Sequence, residues 1–200
     1  MAFTKIRVRD DDVLVHSRSF KGQEFGRFKG FHNLVMIDPV HFEHVLAVLV
    51  TEIQDFPECI EFIKAETAAG RMKPEVHGLH HIDYAKLSYQ QVVSELSQSR
   101  DWIQTTLAYT PTLWYSPWGA GADARGAFLA DAAKDAGLTL VTCVGMIQPS
   151  QLVTDVRAVK AGEMTPAYLL SKWEGKEILR HWWEGSGALM ESVQFFKDTF

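Results

Sequence analysis

Two polar clusters carry the residue types most able to do chemistry in this 200-residue chain. Asp10, Asp11 and Asp12 follow one another at the end of a predicted strand, and His77 and His81 stand four residues apart later in the sequence. Three adjacent carboxylates repel one another, and a bound dication would remove that cost. One aspartate with two histidines and open coordination positions suits a catalytic Zn²⁺ or a similar divalent metal. The pattern therefore predicts a metal-dependent enzyme.

Each of these residues also has an interpretation without chemistry. Two histidines four apart are often ordinary loop residues, and Asp10 by itself is best interpreted as a solvated strand end. His80 is either a bystander or a residue that supports a metal ligand. The two clusters carry more weight together than either does alone.

The elements that must position these residues alternate between strands and helices. Predicted strands lie at 5–9, 45–53, 75–79, 112–115, 138–144 and 176–183. Predicted helices lie at 57–69, 88–107, 123–136 and 187–200, with Pro57 at a helix start and Ser88 as an N-cap. This alternation predicts one α/β domain over residues 1–200 with a mainly parallel sheet.

Three segments are harder to assign. Residues 17–33 are Gly-rich and basic and are interpreted as a loop, and 39–44 as the start of a helix. Residues 145–175 show no clear pattern. All polar clusters nevertheless fall at the carboxyl ends of predicted strands, where parallel α/β sheets and barrels place their active sites.

Composition excludes several classes of function. The 20 Lys and Arg residues against 25 Asp and Glu give a formal net charge of −5, and without a long basic run we expect no nucleic-acid-binding face. No apolar run approaches the ~20 residues of a membrane span. The first residues lack the apolar core of a signal peptide, so we expect a cytoplasmic protein with no membrane partner. Cys59 and Cys143 have no CxxC partner and are predicted to be reduced thiols.

Four short motifs, in order, make the chain resemble the polysaccharide deacetylases, the NodB-homology group of carbohydrate esterase family 4. The family's strand ending in aspartates corresponds to Val8-Arg9-Asp10-Asp11-Asp12, and its His-x-x-x-His motif to His77-Gly78-Leu79-His80-His81. Its Pro-aromatic-Gly turn corresponds to Tyr115-Ser116-Pro117-Trp118-Gly119, and its last strand to Ile178-Leu179-Arg180-His181. The resemblance implies a (β/α) barrel with seven parallel strands, incompletely closed.

The resemblance also implies a role for each residue. Asp12, His77 and His81 would bind the divalent metal, for which Zn²⁺ is the first choice. Asp11 would be the general base and His181 the general acid. The residues expected to contact substrate are Tyr115, Pro117, Trp118 and Trp182, with the two tryptophans stacking on sugar and the backbone N–H of Trp118 facing the oxyanion.

The chain departs from the family pattern in three places. The arginine of the third motif, which orients the base in the family, is Tyr115 here. The aspartate of the fourth motif, which supports the acid histidine, has no clear match, and Asp155 and Glu184 are the candidates. The triple aspartate leaves two registers open, with base and metal ligand being either Asp10 and Asp11 or Asp11 and Asp12.

The expected activity is metal-dependent hydrolysis that removes an N-acetyl or similar acyl group from a sugar or polysaccharide. Two alternatives stay open. One is hydrolysis of another amide or ester on the same site, and the other is a glycan-binding or regulatory module on a decayed deacetylase fold.

Overall fold

Six parallel strands form one open sheet in the computed structural model, which describes residues 4–14, 21–142, 147–181 and 186–200. In chain order they are β1 (Ile6–Asp11), β2 (Phe42–Leu49), β3 (Met72–Gly78), β4 (Leu113–Tyr115), β5 (Thr139–Val141) and β6 (Glu177–His181). Their spatial order is β5-β4-β3-β2-β1-β6, and every neighbouring pair is parallel. The sheet curls into a half-barrel, which confirms the predicted α/β class and incomplete closure. The described residues contain six strands, where seven were predicted.

Helices surround this sheet. In chain order, those of the described residues are α1 (Lys21–Val35), α2 (Val50–Ile53), α3 (Pro57–Ala68), α4 (Tyr89–Leu107), α5 (Leu129–Asp135), α6 (Pro149–Lys160), α7 (Pro166–Trp173) and α8 (Gly187–Thr199). The predicted helices at 57–69, 88–107, 123–136 and 187–200 correspond to α3, α4, α5 and α8. None of the described helices is both long enough and apolar enough to cross a membrane.

The predicted loop at 17–33 is wrong, because Lys21–Val35 form helix α1. Its apolar residues recur every three or four positions and are buried, as Phe25, Phe28 and Phe31 show. The glycines that suggested a loop, at positions 22, 26 and 30, recur every four residues, and a Cβ on any of them would meet no atom within 4 Å. The buried phenylalanine stripe therefore overrides the low helix propensity of glycine.

Two further segments are now assigned. The predicted helix start at 39–44 is wrong, because Phe42 begins strand β2, which pairs with β1 on one side and β3 on the other. The 145–175 segment contributes α6 and α7, and both begin with a proline in the first turn. Thr165 caps α7 by accepting a hydrogen bond from the Tyr168 backbone N–H at 3.2 Å.

The two faces of the sheet differ in chemistry. The face toward the helices carries most of the apolar core, including Val8, Leu46 and Val76. The inner face has a small apolar cluster of Val45, Ala47 and Tyr115. Much of the remaining inner face of β6, β1, β2 and β3 is charged. Charged side chains thus line much of the inner face that leads to the carboxyl ends of the strands, and we call this lining the polar floor.

These charged side chains form a continuous series, which we call the ion-pair chain. Its successive contacts are Lys73–Glu43 at 2.6 Å, Glu43–Arg7 at 3.0 Å, Arg7–Glu177 at 3.2 Å, Glu177–Arg9 at 3.1 Å and Arg9–Asp11 at 2.9 Å. Lys73 is half-exposed, whereas Arg9 and Asp11 are buried. The ion-pair chain therefore leads from solvent to the end of β1.

Asp10 lies on the opposite face from Arg9 and Asp11, because successive side chains of a strand alternate. Arg180 on β6 donates from Nη1 to both Asp10 carboxylate oxygens at 2.9 Å, and its guanidinium lies 3.9 Å from the centroid of the Phe31 ring. Burial raises the pKa of Asp10 to about 7, against the opposing charge of Arg180. Asp10 is fully buried, so its interpretation as a solvated strand end is wrong.

We predict that Arg180→Met lowers the free energy of unfolding by about 3–5 kcal/mol, the usual cost of breaking a buried ion pair. The substitution leaves a buried carboxyl group that must stay charged without this partner or take up a proton. Denaturant unfolding measures the loss. Lys64→Met is the matched control, because the Lys64–Glu61 pair is solvent-exposed and its loss should cost under ~1 kcal/mol. Equal losses in the two variants would contradict the prediction.

Candidate functional site

Three side chains converge just beyond the ends of β1 and β3. Oδ1 of Asp12 lies 3.1 Å from Nε2 of His77 and 3.1 Å from Nε2 of His81. Among the described residues, this is the group whose ligand atoms could hold a metal ion. Of the three aspartates, Asp12 therefore meets the histidines, while Asp10 faces the helices. This geometry favours the register in which Asp11 and Asp12 form the functional pair.

The backbone at Asp12 explains why its side chain leaves the alternation of the strand. Its φ is 61°, in the left-handed region, and Leu14 follows with a φ of 67°. Aspartate is one of the few residues besides glycine that adopt this conformation with some frequency. Strand β1 ends at Asp11, so the Asp12 carboxylate can turn toward the histidines.

The orientation of His77 is set by a backbone group of β4. Nδ1 of His77 lies 2.6 Å from the carbonyl oxygen of Tyr115. A carbonyl only accepts hydrogen bonds, so Nδ1 carries the proton and donates it, which leaves the Nε2 lone pair of the neutral ring directed at Asp12. Such a partner on the second nitrogen is typical of metal-binding histidines.

The three converging atoms fit a cation. Without a proton or a cation between them, the lone pairs of Nε2 and of the Asp12 carboxylate would repel. In a tetrahedral zinc site neighbouring ligand atoms are ~3.3 Å apart, close to the 3.1 Å between Oδ1 of Asp12 and Nε2 of each histidine. Burial would raise the pKa of Asp12, but hydrogen bonds and charge from the histidines outweigh it and lower this pKa. Burial would likewise lower the pKa of His77, but Asp12 and Asp11 outweigh it and raise this pKa.

The turn between the two histidines depends on Gly78 and Tyr84. The buried Tyr84 hydroxyl accepts a hydrogen bond from the backbone N–H of Leu79 at 3.2 Å and lies where a Cβ on Gly78 would be. His80 points away from the cluster, with Nδ1 at 3.0 Å from Glu95 of α4. His80 is therefore outside the group of converging atoms.

Asp11 lies next to this cluster on the inner face and is held by Arg9. Nε of Arg9 lies 2.9 Å from Oδ1 of Asp11, and Nη2 donates to Oδ2 at 3.0 Å. Arg9 was not predicted as a functional residue. Its position two residues before Asp11 was a usable signal, because residues i and i+2 of a strand share a face.

His181 ends β6 beside Asp11. The two residues are paired in the parallel register of β1 and β6, so their Cα atoms are ~4.8 Å apart and their side chains leave the same face. His181 is partly exposed. A second proton-transfer candidate therefore lies opposite Asp11 on the neighbouring strand.

Asp155 does not support His181. It accepts a hydrogen bond from Nε1 of Trp173 at 2.8 Å and pairs with Lys172 at 2.6 Å. Trp173 and Lys172 precede β6 in the sequence, near the first residue of that strand, whereas His181 is its last residue. Glu184, the other candidate, lies outside the described residues, as does Trp182, which was predicted to contact substrate.

Trp118 lies at the rim of the site. Its side chain is 66% exposed, its φ of 52° is left-handed, and its ring centroid is 4.6 Å from that of His81. It borders a pocket of about 370 Å³ whose lining includes Asp83, Lys86 and Asp123. An exposed indole beside a polar pocket is suited to stacking on a sugar face.

The other two residues of the predicted substrate set are buried. The Tyr115 ring is fully buried, and its hydroxyl donates to Glu177 at 3.0 Å rather than facing a cleft. Pro117 is also buried, in the turn that presents Trp118. We assign both a supporting position: Tyr115 fixes His77 through its carbonyl, and Pro117 fixes the turn.

Comparisons with known proteins identify relatives. A sequence model of the family described as polysaccharide deacetylase matches residues 46–141. This span contains the histidine motif and the Pro117-Trp118-Gly119 turn, but neither the aspartates of β1 nor His181. None of the curated proteins compared with the chain matches it significantly.

Solved structures of carbohydrate esterase family 4 share the fold. A family 4 carbohydrate esterase from Streptomyces lividans, in complex with acetate, is 17% identical, with 99% of this chain and 87% of that chain covered and a TM-score of 0.60. The peptidoglycan deacetylase PdaC from Bacillus subtilis is 16% identical, with coverages of 98% and 84% and a TM-score of 0.57. BA3943, a family pseudoenzyme from Bacillus anthracis, is 11% identical, with coverages of 100% and 62% and a TM-score of 0.59. The family model and these structures support the resemblance drawn from the motifs, and the structures show that the chain has the fold of carbohydrate esterase family 4.

We predict that Gly78→Ala displaces the histidine turn, because the new methyl group would overlap the Tyr84 hydroxyl. The variant should unfold at lower denaturant concentration than the wild type. Adding Tyr84→Phe removes the overlapping oxygen and should recover part of this loss, so that the two substitutions are not additive. Strictly additive losses in the double-mutant cycle would show that this contact does not shape the turn.

Proposed function

We propose that this chain, which matches the polysaccharide deacetylase family and has the fold of carbohydrate esterase family 4, is a metal-dependent hydrolase that removes N-acetyl or similar acyl groups from a sugar or polysaccharide. The observation that carries the proposal is the convergence of Asp12, His77 and His81 beside Asp11. A donor set for a cation and a neighbouring carboxylate base are the two parts that hydrolysis of an amide needs.

Asp12, His77 and His81 would hold the metal, and Zn²⁺ suits this mixed oxygen and nitrogen donor set. When bound, the ion would polarise the acyl carbonyl and lower the pKa of a coordinated water. The hydrogen bond from His77 to the Tyr115 carbonyl keeps Nε2 available for this purpose.

Asp11 is proposed as the general base. Both of its oxygens are held by the Arg9 guanidinium, so the carboxylate has a defined orientation on the inner face. It would accept a proton from the attacking water while a backbone N–H of the Trp118 turn donates to the developing oxyanion.

His181 is proposed as the general acid that protonates the departing amine. Its pairing with Asp11 in the β1–β6 register supports this role, because the proposed acid and the proposed base are then neighbours at the ends of adjacent strands. Trp118 would stack on the sugar ring, because its indole is exposed and adjacent to His81.

Glycan binding without turnover is the second candidate. The carbohydrate esterase family 4 pseudoenzyme matches this chain with a TM-score similar to those of the enzymes. The exposed indole of Trp118 would serve glycan binding as well as hydrolysis. Acetate release from N-acetylated oligosaccharides separates the two. Binding without release would overturn the hydrolase proposal in favour of the binding module.

We predict one divalent metal per chain at the Asp12 cluster. After chelation and dialysis, titration with Zn²⁺ followed by calorimetry should give a single site. The His77→Ala/His81→Ala double variant should lose it, since two of three protein ligands are gone. His80→Ala is the matched control, because this adjacent histidine is half-exposed and pairs with Glu95. Full occupancy in the double variant would remove the metal from this position.

We predict that Asp11→Asn and His181→Ala each lower kcat for acetate release by roughly 10²–10⁴-fold, the usual contribution of acid–base residues. Zn²⁺ stoichiometry should stay unchanged, because neither residue is a proposed ligand. His80→Ala should keep wild-type turnover. Near-normal kcat in His181→Ala would exclude this residue as the acid, while leaving the metal assignment intact.

A further inference from the structure

We infer that Arg9 is a positioning residue for Asp11, and that Glu177 and Tyr115 lock Arg9 in place. This inference rests on the proposed function, because it takes Asp11 as the base. It adds to that function a role for Arg9, to which the sequence motifs assigned none, and it draws on residues of three strands, β1, β4 and β6.

The contact between Arg9 and Asp11 has two points. Nε of Arg9 lies 2.9 Å from one carboxylate oxygen, and Nη2 donates to the other at 3.0 Å. The Nη2 contact is a hydrogen bond and the Nε contact is an ion-pair contact, so both oxygens of the carboxylate are held and its rotation is restricted as well as its position. Both side chains are buried, at 0% and 2% exposure, so water does not compete for the pair.

Arg9 is itself held from two further directions. Its Nη1 donates to Oε1 of Glu177 at 3.1 Å, and its guanidinium carbon lies 4.2 Å from the centroid of the Tyr115 ring. The Tyr115 hydroxyl donates to the other oxygen of Glu177 at 3.0 Å. The guanidinium of Arg9 is thus held by the Glu177 carboxylate at its edge and by the Tyr115 ring on its face. Glu177 and Tyr115 also bind each other through the tyrosine hydroxyl.

This arrangement has consequences for charge at the rim. Asp11 and Asp12 are adjacent in sequence, and the two histidines balance Asp12. Arg9 supplies the positive charge that faces Asp11 from the inner side, so the base keeps an orientation that its acidic neighbour would otherwise disturb. A displacement of ~1 Å in a catalytic group can cost ~10²-fold in rate, so losing this orientation should appear in kcat.

The chain provides a matched control for an ordinary buried ion pair. Arg180 and Asp10 form a second arginine–aspartate pair at the same strand end, but on the face toward the helices, where Nη1 contacts both oxygens. A purely structural role predicts that Arg9 and Arg180 behave alike. A positioning role predicts that they differ in turnover and not in stability alone.

The experiment compares Arg9→Lys, Arg9→Met and Arg180→Lys for kcat and KM of acetate release, Zn²⁺ stoichiometry and denaturant unfolding. We expect Arg9→Met to lower kcat by about 10²-fold with KM changed less than about 3-fold. Arg9→Lys should recover part of kcat, because lysine keeps the charge but not the two-point contact. Arg180→Lys should lose stability while its folded fraction keeps kcat within about 3-fold of wild type. Equal kcat losses in Arg9→Lys and Arg180→Lys, or wild-type kcat in Arg9→Met, would overturn the inference.

Two further measurements keep the inference separate from its premise. If Arg9→Met does not fold, Tyr115→Phe tests the same support, because it removes only the hydroxyl that binds Glu177, and it should lower kcat without changing Zn²⁺ stoichiometry. If the wild type releases no acetate, the proposed function fails, and a crystal structure of Arg9→Lys decides the inference alone. A rotated or doubly oriented Asp11 carboxylate would support it, and an unchanged carboxylate would overturn it.

Discussion

Three consecutive carboxylates at the end of a buried strand determine how the rest of this structure is arranged. Each needs its own compensation, because a buried charge without a partner is costly. Because successive side chains of a strand alternate, Asp10 lies on the face toward the helices, where it pairs with Arg180. Asp11 lies on the inner face, where it pairs with Arg9. The left-handed backbone at Asp12 sends the third carboxylate to the histidines after β3. The three aspartates therefore divide into a structural ion pair (Asp10), the proposed base (Asp11) and a proposed metal ligand (Asp12).

The polar floor of the half-barrel follows from this division. Charged side chains on four strands pair in series, so the arginine that supports Asp11 is itself supported by Glu177. Tyr115 stands where the family resemblance places an arginine, and its ring lies against Arg9 instead. An arginine thus contacts the proposed base in this chain as well, but it comes from β1. Such exchanges of position are compatible with a shared fold at 10–17% sequence identity.

Sequence patterns over a few residues predicted those helices and site residues whose structure depends on near neighbours in the chain. The apolar period of α4 and its Ser88 cap were readable, as was the histidine spacing that meets Asp12. Helix α1 was missed because its glycines outweighed a phenylalanine stripe whose burial depends on the sheet. The partner of Asp10 depends on the register of two strands 170 residues apart, which local composition does not contain. The burial of Tyr115 likewise depends on which face β4 turns inward.

The strand order also has a consequence for biosynthesis. Strand β1 is made first of the six, yet its outer neighbour β6 is made last, and the bond between Asp10 and Arg180 joins residues 170 positions apart. Until β6 leaves the ribosome, β1 has an open edge and its first carboxylate lacks this arginine. Nascent chains that stop before β6 would expose that edge for pairing with other chains. Docking of the last strand therefore comes late in synthesis, and it both covers the edge of β1 and brings Arg180 to Asp10.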